Sequence, residues 1–190
     1  MTMTKDVFKS RGSTLEDEFF RRVDDELAQR LRDQWQHDRD VESLRKESQI
    51  QDQRVLEELL YAGVSPGTLQ AMTLVPAIHV AWANGFVETQ ERAAVMQAAQ
   101  HVGIHNDSTT GQLLMSWLDD KPTAELFQVW EDYVAALRDV VDVTSYRHLH
   151  DHAVRTAEDI AKAAGGILGV LAVSVAEQRA IGQIDRAFTR

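Results

Sequence analysis

Along the first third of the chain the apolar positions Leu15, Phe19, Val23, Leu27, Leu31 and Trp35 recur every four residues, the spacing of a helix with one apolar stripe. Ser13 and Glu16 form the S-x-x-E box that opens such a helix. Beyond Trp35 the pattern thins to Val41, Leu44 and Ile50, then returns at Val55, Leu56, Leu59 and Leu60. No Pro or Gly lies between Gly12 and Gly63, so residues 13–62 read as one long helical arm, kinked at most, behind a disordered stretch over residues 1–12. The alternative is two helices meeting near His37 to Asp40. At about 1.5 Å per residue the arm is longer than a small domain is wide. It therefore either projects and packs on another chain or folds back over its own domain, and Phe19, Phe20, Val23, Leu27, Leu31 and Trp35 are the candidate contact residues.

Residues 63–190 read as a helical domain. Gly63 suits the residue after a helix and Ser65-Pro66 the start of the next. A helix from about Leu69 to Ala83 puts Val75, Ile78 and Trp82 on one face. Asn84-Gly85 then reverses the chain, and Phe86 and Val87 are expected to tuck under the turn. Glu88 stands at the next N-cap with Glu91 three residues on, Ala94, Val95, Ala98 and Val102 face inward, and Gly103 closes the helix. Asp107 or Ser108 caps a short helix carrying Leu113, Leu114, Trp117 and Leu118. After a break at residues 119–123 a strongly amphipathic helix to about Val141 carries Leu126, Phe127, Trp130, Val134, Leu137 and Val141. A helix from Ser145 to about Ala164 shows the small-residue stripe Leu149, Ala153, Ala157, Ile160 and Ala164, which permits close helix approach. The apolar residues 167–173 are expected to be buried against the core. Ser174 and Glu177 then box the start of a last helix, with Ala180, Ile181, Ile184 and Phe188 inward.

Two stretches repeat one plan: HVAWANG followed by FVETQERAAV, and IAKAAGG followed by VSVAEQRAI, each a helix, a glycine turn, a valine, a cap and an N3 glutamate. The string HVAWANGFVETQERAAVMQAAQHVGI resembles the tellurite-resistance B-type (TerB-like) domain, which is related to the N-terminal cytoplasmic domain of DjlA-type co-chaperones and has the pattern A-D-G-x-V-[ST/D]-x-x-E before an alanine-rich helix. The resemblance spans roughly Leu56 to Phe188. It implies an all-α, TerB-like helical bundle of two helix-turn-helix repeats, here with a long N-terminal arm, and a stress-associated role. It also implies a hard-cation site of short oxygen ligands at the turns. This chain departs from that pattern at both turns: Asn84 replaces the first Asp, and Ala164-Gly165-Gly166 holds no acid at the second. The residues left to such a site are Asn84, Glu88 and Glu91, and the competing reading is a capped turn with exposed glutamates.

Composition narrows the function. A formal charge of −10 argues against non-specific nucleic-acid binding, which needs a cationic face. Without cysteine there is no disulfide, thiolate metal site or cysteine nucleophile. The N-terminus lacks an apolar signal region and the longest apolar run, about fourteen residues, is too short for a membrane span, so the expectation is a cytoplasmic chain. His148 and His152, at i and i+4, have zinc-like spacing, but Arg155 continues their face and a polar surface is the plainer reading. His79, bordering an apolar face, reads as a hydrogen-bonded core histidine. No G-x-S-x-G, phosphate-binding glycine loop or H-E-x-x-H is present, and G-G-x-x-G at residues 165–169 follows a helix rather than a strand. Three readings remain: a non-catalytic interaction or scaffold protein acting through a protein partner or a homodimer, with no cofactor; a binder of a divalent cation; and an enzyme with its site between the repeats near His79, Trp82 and Glu158.

Overall fold

The computed structural model describes residues 3–164 and 173–189, with the side chains of residues 3–21, 23, 24 and 164 outside the description. Among the described residues the fold is all-α: α1 (Met3–Ser48), α2 (Gln53–Tyr61), a 3₁₀ helix (Pro66–Leu74), α3 (Val75–Ala81), α4 (Thr89–His101), α5 (Thr109–Asp119), α6 (Ala124–Leu137), α7 (Val143–Ala164) and α8 (Val175–Ala187). No helix among them is long and apolar enough to cross a membrane. The chain divides into two compact units, Met1–Asp40 and Val41–Arg190.

The first unit is helical from Met3, where a disordered stretch to residue 12 was expected; no proline interrupts it, and one glycine costs a helix only about 1 kcal/mol. Its described surface is tied along the helix by Gln29 Nε2 to Asp33 Oδ1 (2.7 Å), Arg32 Nη2 to Gln29 Oε1 (2.8 Å) and Gln36 Nε2 to Asp40 Oδ1 (3.0 Å).

The second unit begins earlier than the expected boundary at Gly63. Val41 and Leu44, Ile50, and Val55, Leu56 and Leu59 are all buried in its core, so residues 41–62 belong to the domain. The single helix expected over 13–62 is broken at Gln49, whose φ of 60° ends α1. Ser48 Oγ donates to the Leu44 carbonyl (2.7 Å) and accepts from Ile50 N–H (3.2 Å), and Asp52 caps α2 by accepting from Arg54 N–H (2.9 Å). Neither Pro nor Gly marks this break; a serine and an aspartate make it through local side-chain bonds.

Pro76 decides the next departure. Lacking an N–H and crowding the carbonyl of Met72, it prevents one α-helix from running through 69–83, and the chain takes a 3₁₀ helix before α3 begins. Helices α3 and α4 form the first repeat and α7 and α8 the second. α7 packs against α3, α4 and α8, and α3 also packs on α8, so the repeats share one core. Val75, Ile78, Val95, Ala99, Ala157, Ile160 and Ile184 are buried in it, and each large aliphatic among them contributes about 1.5–3 kcal/mol through burial. Ala153 and Ala157 let α7 come close to its three neighbours. Phe86, expected beneath the first turn, is instead 58 % exposed, because the turn's hydrogen bond, Gly85 N–H to the Trp82 carbonyl, closes before it. The apolar residues 167–172 lie outside the described residues.

Candidate functional site

The two repeats bring together a pair of carboxylates. At the start of α4 the backbone N–H of Glu88 donates to Glu91 Oε2 (2.7 Å), and at the start of α8 that of Ser174 donates to Glu177 Oε2 (2.6 Å). Ser174 Oγ also accepts from Glu177 N–H (3.2 Å), which completes a reciprocal box. Each glutamate folds back over its own helix start and is thereby drawn inside: Glu91 is 1 % and Glu177 2 % exposed. Each uses one oxygen in the cap. The other, Oε1 in both residues, is buried and without a hydrogen-bond partner.

Two orphaned carboxylate oxygens in one core are costly unless something is shared with them. Burial pushes the Glu91 carboxyl up to about 7; the Glu88 N–H bond opposes the rise, and the negative charges of Glu177 and Glu88 add to it. Near neutral pH Glu91 therefore holds a proton about half the time. The turns are also tied directly, Ser174 Oγ donating to Asn84 Oδ1 across 3.1 Å.

Of the residues the sequence offered as cation ligands, Asn84 is exposed and bonded to Ser174, Glu88 is half-buried, and Glu91 is buried. The sequence pointed to Glu177 only as a helix cap. The repeat register, which aligns Glu91 with Glu177 and Glu88 with Ser174, is the signal that could have paired them. Among the described residues no group of three or more Asp, Glu or His side chains is placed to hold a metal ion. His148 and His152 are exposed; it is His150 that is held, its Nε2 2.9 Å from Asp185 Oδ1.

On the first unit, Leu27 is 55 %, Leu31 44 % and Trp35 65 % exposed. The side chains of Phe19, Phe20 and Val23 lie outside the described residues.

A cavity of about 760 Å³ opens between α3, α6 and α8. His79 and Trp82, two of the three residues suggested for an inter-repeat active site, line it. Glu158 does not; on the outer side of α7 its carboxylate lies 3.3 Å from Lys162 Nζ. The His79 ring stacks on Phe127 with centroids 3.8 Å apart, and its Nε2 lies 2.9 Å from Gln183 Oε1. Burial lowers its pKa, outweighing the Gln183 bond and the Glu131 charge, so the ring is neutral at pH 7. Trp82 Nε1–H donates to the Trp117 carbonyl (2.8 Å), which fixes the indole at the cavity wall.

No family model, curated protein or solved structure matches this chain.

Proposed function

We propose that this is a non-catalytic interaction protein, TerB-like in its paired helix-turn-helix repeats, whose N-terminal helix holds a second copy of the chain. The observation that carries the reading is the exposed row Leu27, Leu31 and Trp35. At steps of four residues these three side chains span about 80° of the helix, inside the width of one apolar stripe. Large apolar groups arrayed this way on an otherwise charged helix are what an interhelical seam requires. Charge favours a like partner: residues 1–40 carry eight Lys and Arg against ten Asp and Glu, so two such helices meet almost without net repulsion, whereas the remainder of the chain holds twelve against twenty. The cavity histidine supports a non-catalytic reading, since its partner is the amide of Gln183 rather than a carboxylate that would raise its basicity.

Sedimentation equilibrium of the full chain, beside the variant Leu27→Glu/Leu31→Glu/Trp35→Glu, tests it. Self-association that the triple variant loses while keeping its helical circular dichroism supports the proposal. A chain that is monomeric at all accessible concentrations, or a variant that associates as the parent does, overturns it.

A second reading, a divalent-cation binder in a stress response, rests on the orphaned Oε1 atoms of Glu91 and Glu177. Hard cations take oxygen ligands, and Asn84 Oδ1 is linked to the same turns through Ser174. A cation bound at 100 times its dissociation constant adds about 2.7 kcal/mol to folding stability. Melts of metal-stripped protein at pH 8 with saturating Ca²⁺ or Mn²⁺ would therefore rise by several degrees, and Glu91→Gln would abolish the rise; melts that ignore every ion end this reading.

A further inference from the structure

The cavity between α3, α6 and α8 uses neither the arm nor the paired cap carboxylates. Its volume lies within the range of small-molecule sites. Its apolar walls come from α3, α6 and α8: Val75 and Ile78 are buried, Trp82 and Phe127 half-buried, and Ala180 is a small buried residue that leaves room. The polar groups are unevenly signed. Lys121, from the loop between α5 and α6, and Arg179 and Arg186, two turns apart on α8, all line the cavity and are exposed. None of these three side chains forms an ion pair with another described residue. Glu131 is the one acid among the lining residues, and it already interacts with a neighbour.

This is an unusual place for three unpaired cations. The second unit carries an eight-charge acidic excess, and four of its other basic side chains are ion-paired: Arg45 with Glu42, Arg54 with Glu58 and Asp132, Arg92 with Asp119, and Lys162 with Glu158. The cations at the cavity sit beside low-dielectric walls, where an opposite charge is attracted more strongly than over open surface. The His79 ring is neutral and already bonded, so it adds an aromatic face rather than a charge.

We propose that this cavity binds a small organic anion, a carboxylate carried on an apolar body, with the body against Trp82, Phe127 and Ala180 and the carboxylate held by Arg179, Arg186 and Lys121. The guanidinium groups suit a carboxylate because each offers two parallel N–H donors, and their exposure lets them move onto it. Aliphatic and aromatic acids share this chemistry, and the choice between them falls to the assay.

Isothermal titration calorimetry of the full-length protein would use decanoate and 1-naphthoate as probes, below micelle-forming concentrations, with 1-decanol, 1-naphthylmethanol and decylammonium as controls. At least one acid is expected to bind roughly tenfold or more tightly than its alcohol, with decylammonium weakest. That preference should disappear in Arg179→Gln/Arg186→Gln, two exposed positions on a helix that glutamine tolerates. The indole N–H resonance absent from Trp82→Phe should shift on titration with the bound acid. Tighter binding of decanoate than naphthoate assigns an aliphatic body, and the reverse an aromatic one. Failure of both acids to bind, equal binding of acid and alcohol, or an unchanged preference in the double variant overturns the proposal. So does loss of self-association in the double variant, which would assign the cavity to a second copy of the chain.

Discussion

Replacing Glu91 by Gln isolates the energetic effect of burying two carboxylates in one core. In the folded chain the Glu91 carboxyl titrates at about 7, against 4.5 for the free side chain. Between these values the folded protein keeps a proton that the unfolded chain has released, so stability falls as pH rises from about 4.5 to about 7 and levels off above. At ~1.4 kcal/mol per pKa unit, the full excursion is about 3 kcal/mol. Glutamine is neutral throughout. It keeps an acceptor for the Glu88 N–H and places no negative charge beside the Glu177 carboxylate. Near pH 5 the variant should lead the parent by less than about 1 kcal/mol, whereas near pH 8 it should be the more stable by up to about 3 kcal/mol, roughly 6–12 °C in melting temperature for a chain of this size. Thermal and urea unfolding of both proteins in chelator at pH 5, 6, 7 and 8 measures the difference, and taking the difference cancels the titrating groups that do not interact with Glu91. A gap that stays constant across that range, or a parent more stable than the variant at pH 8, refutes the reasoning. Glu91→Ala separates the cap from the charge: losing the acceptor for Glu88 N–H adds about 1 kcal/mol of destabilisation at every pH.

Other outcomes follow from single contacts. Ser174→Ala removes the side chain that accepts Glu177 N–H and donates to Asn84, and should cost about 1 kcal/mol in urea unfolding. Gly111→Ala is expected to be far more damaging, at least about 2 kcal/mol, because a methyl group on α5 would strike the His105 carbonyl and neighbouring backbone, which cannot move aside as a side chain would. Gly85 has φ 90° with open space around it, so Gly85→Ala should cost about 1 kcal/mol through backbone strain alone, leaving the helix content by circular dichroism unchanged.

What the sequence made legible was chiefly local chemistry. Ser65-Pro66, Ser108, Glu88 and Ser174 mark helix starts, and Gly63, Gly85 and Gly103 take the positive φ their turns require. What it concealed depended on packing between distant elements. The stop at Gln49 carries no punctuating residue, so hydrophobic spacing alone ran two helices together. Val41 and Leu44 continue the periodicity of the arm and yet are core residues of the second unit. Phe86 looked like an anchor because it is large, but its turn closes at Gly85 and leaves it outside. The cationic cavity was hidden for a different reason: Lys121, Arg179 and Arg186 are a loop residue and two outward positions of α8, which only the docking of α6 beside α3 and α8 brings to one opening.

The repeat ties local to distant structure. A cap glutamate ordinarily costs little, because its second oxygen faces water. Here the same cap occurs twice, at the starts of α4 and α8, and α3, α4 and α8 all gather on α7 or on one another. Repetition thus turns two routine helix starts into a pair of desolvated carboxylates, each with an oxygen left over. A chain under selection for stability alone could carry glutamine at either position, keep the bond to the cap and avoid the charge. If the pair serves only as caps, Glu91→Gln and Glu177→Gln should each stabilise the protein at pH 8, with effects that do not add, because either change removes the same repulsion. If the pair serves to hold a cation, the double variant should gain stability in chelator and lose all response to Ca²⁺ and Mn²⁺, and that response in the parent should weaken as pH falls through 7 and Glu91 takes up its proton.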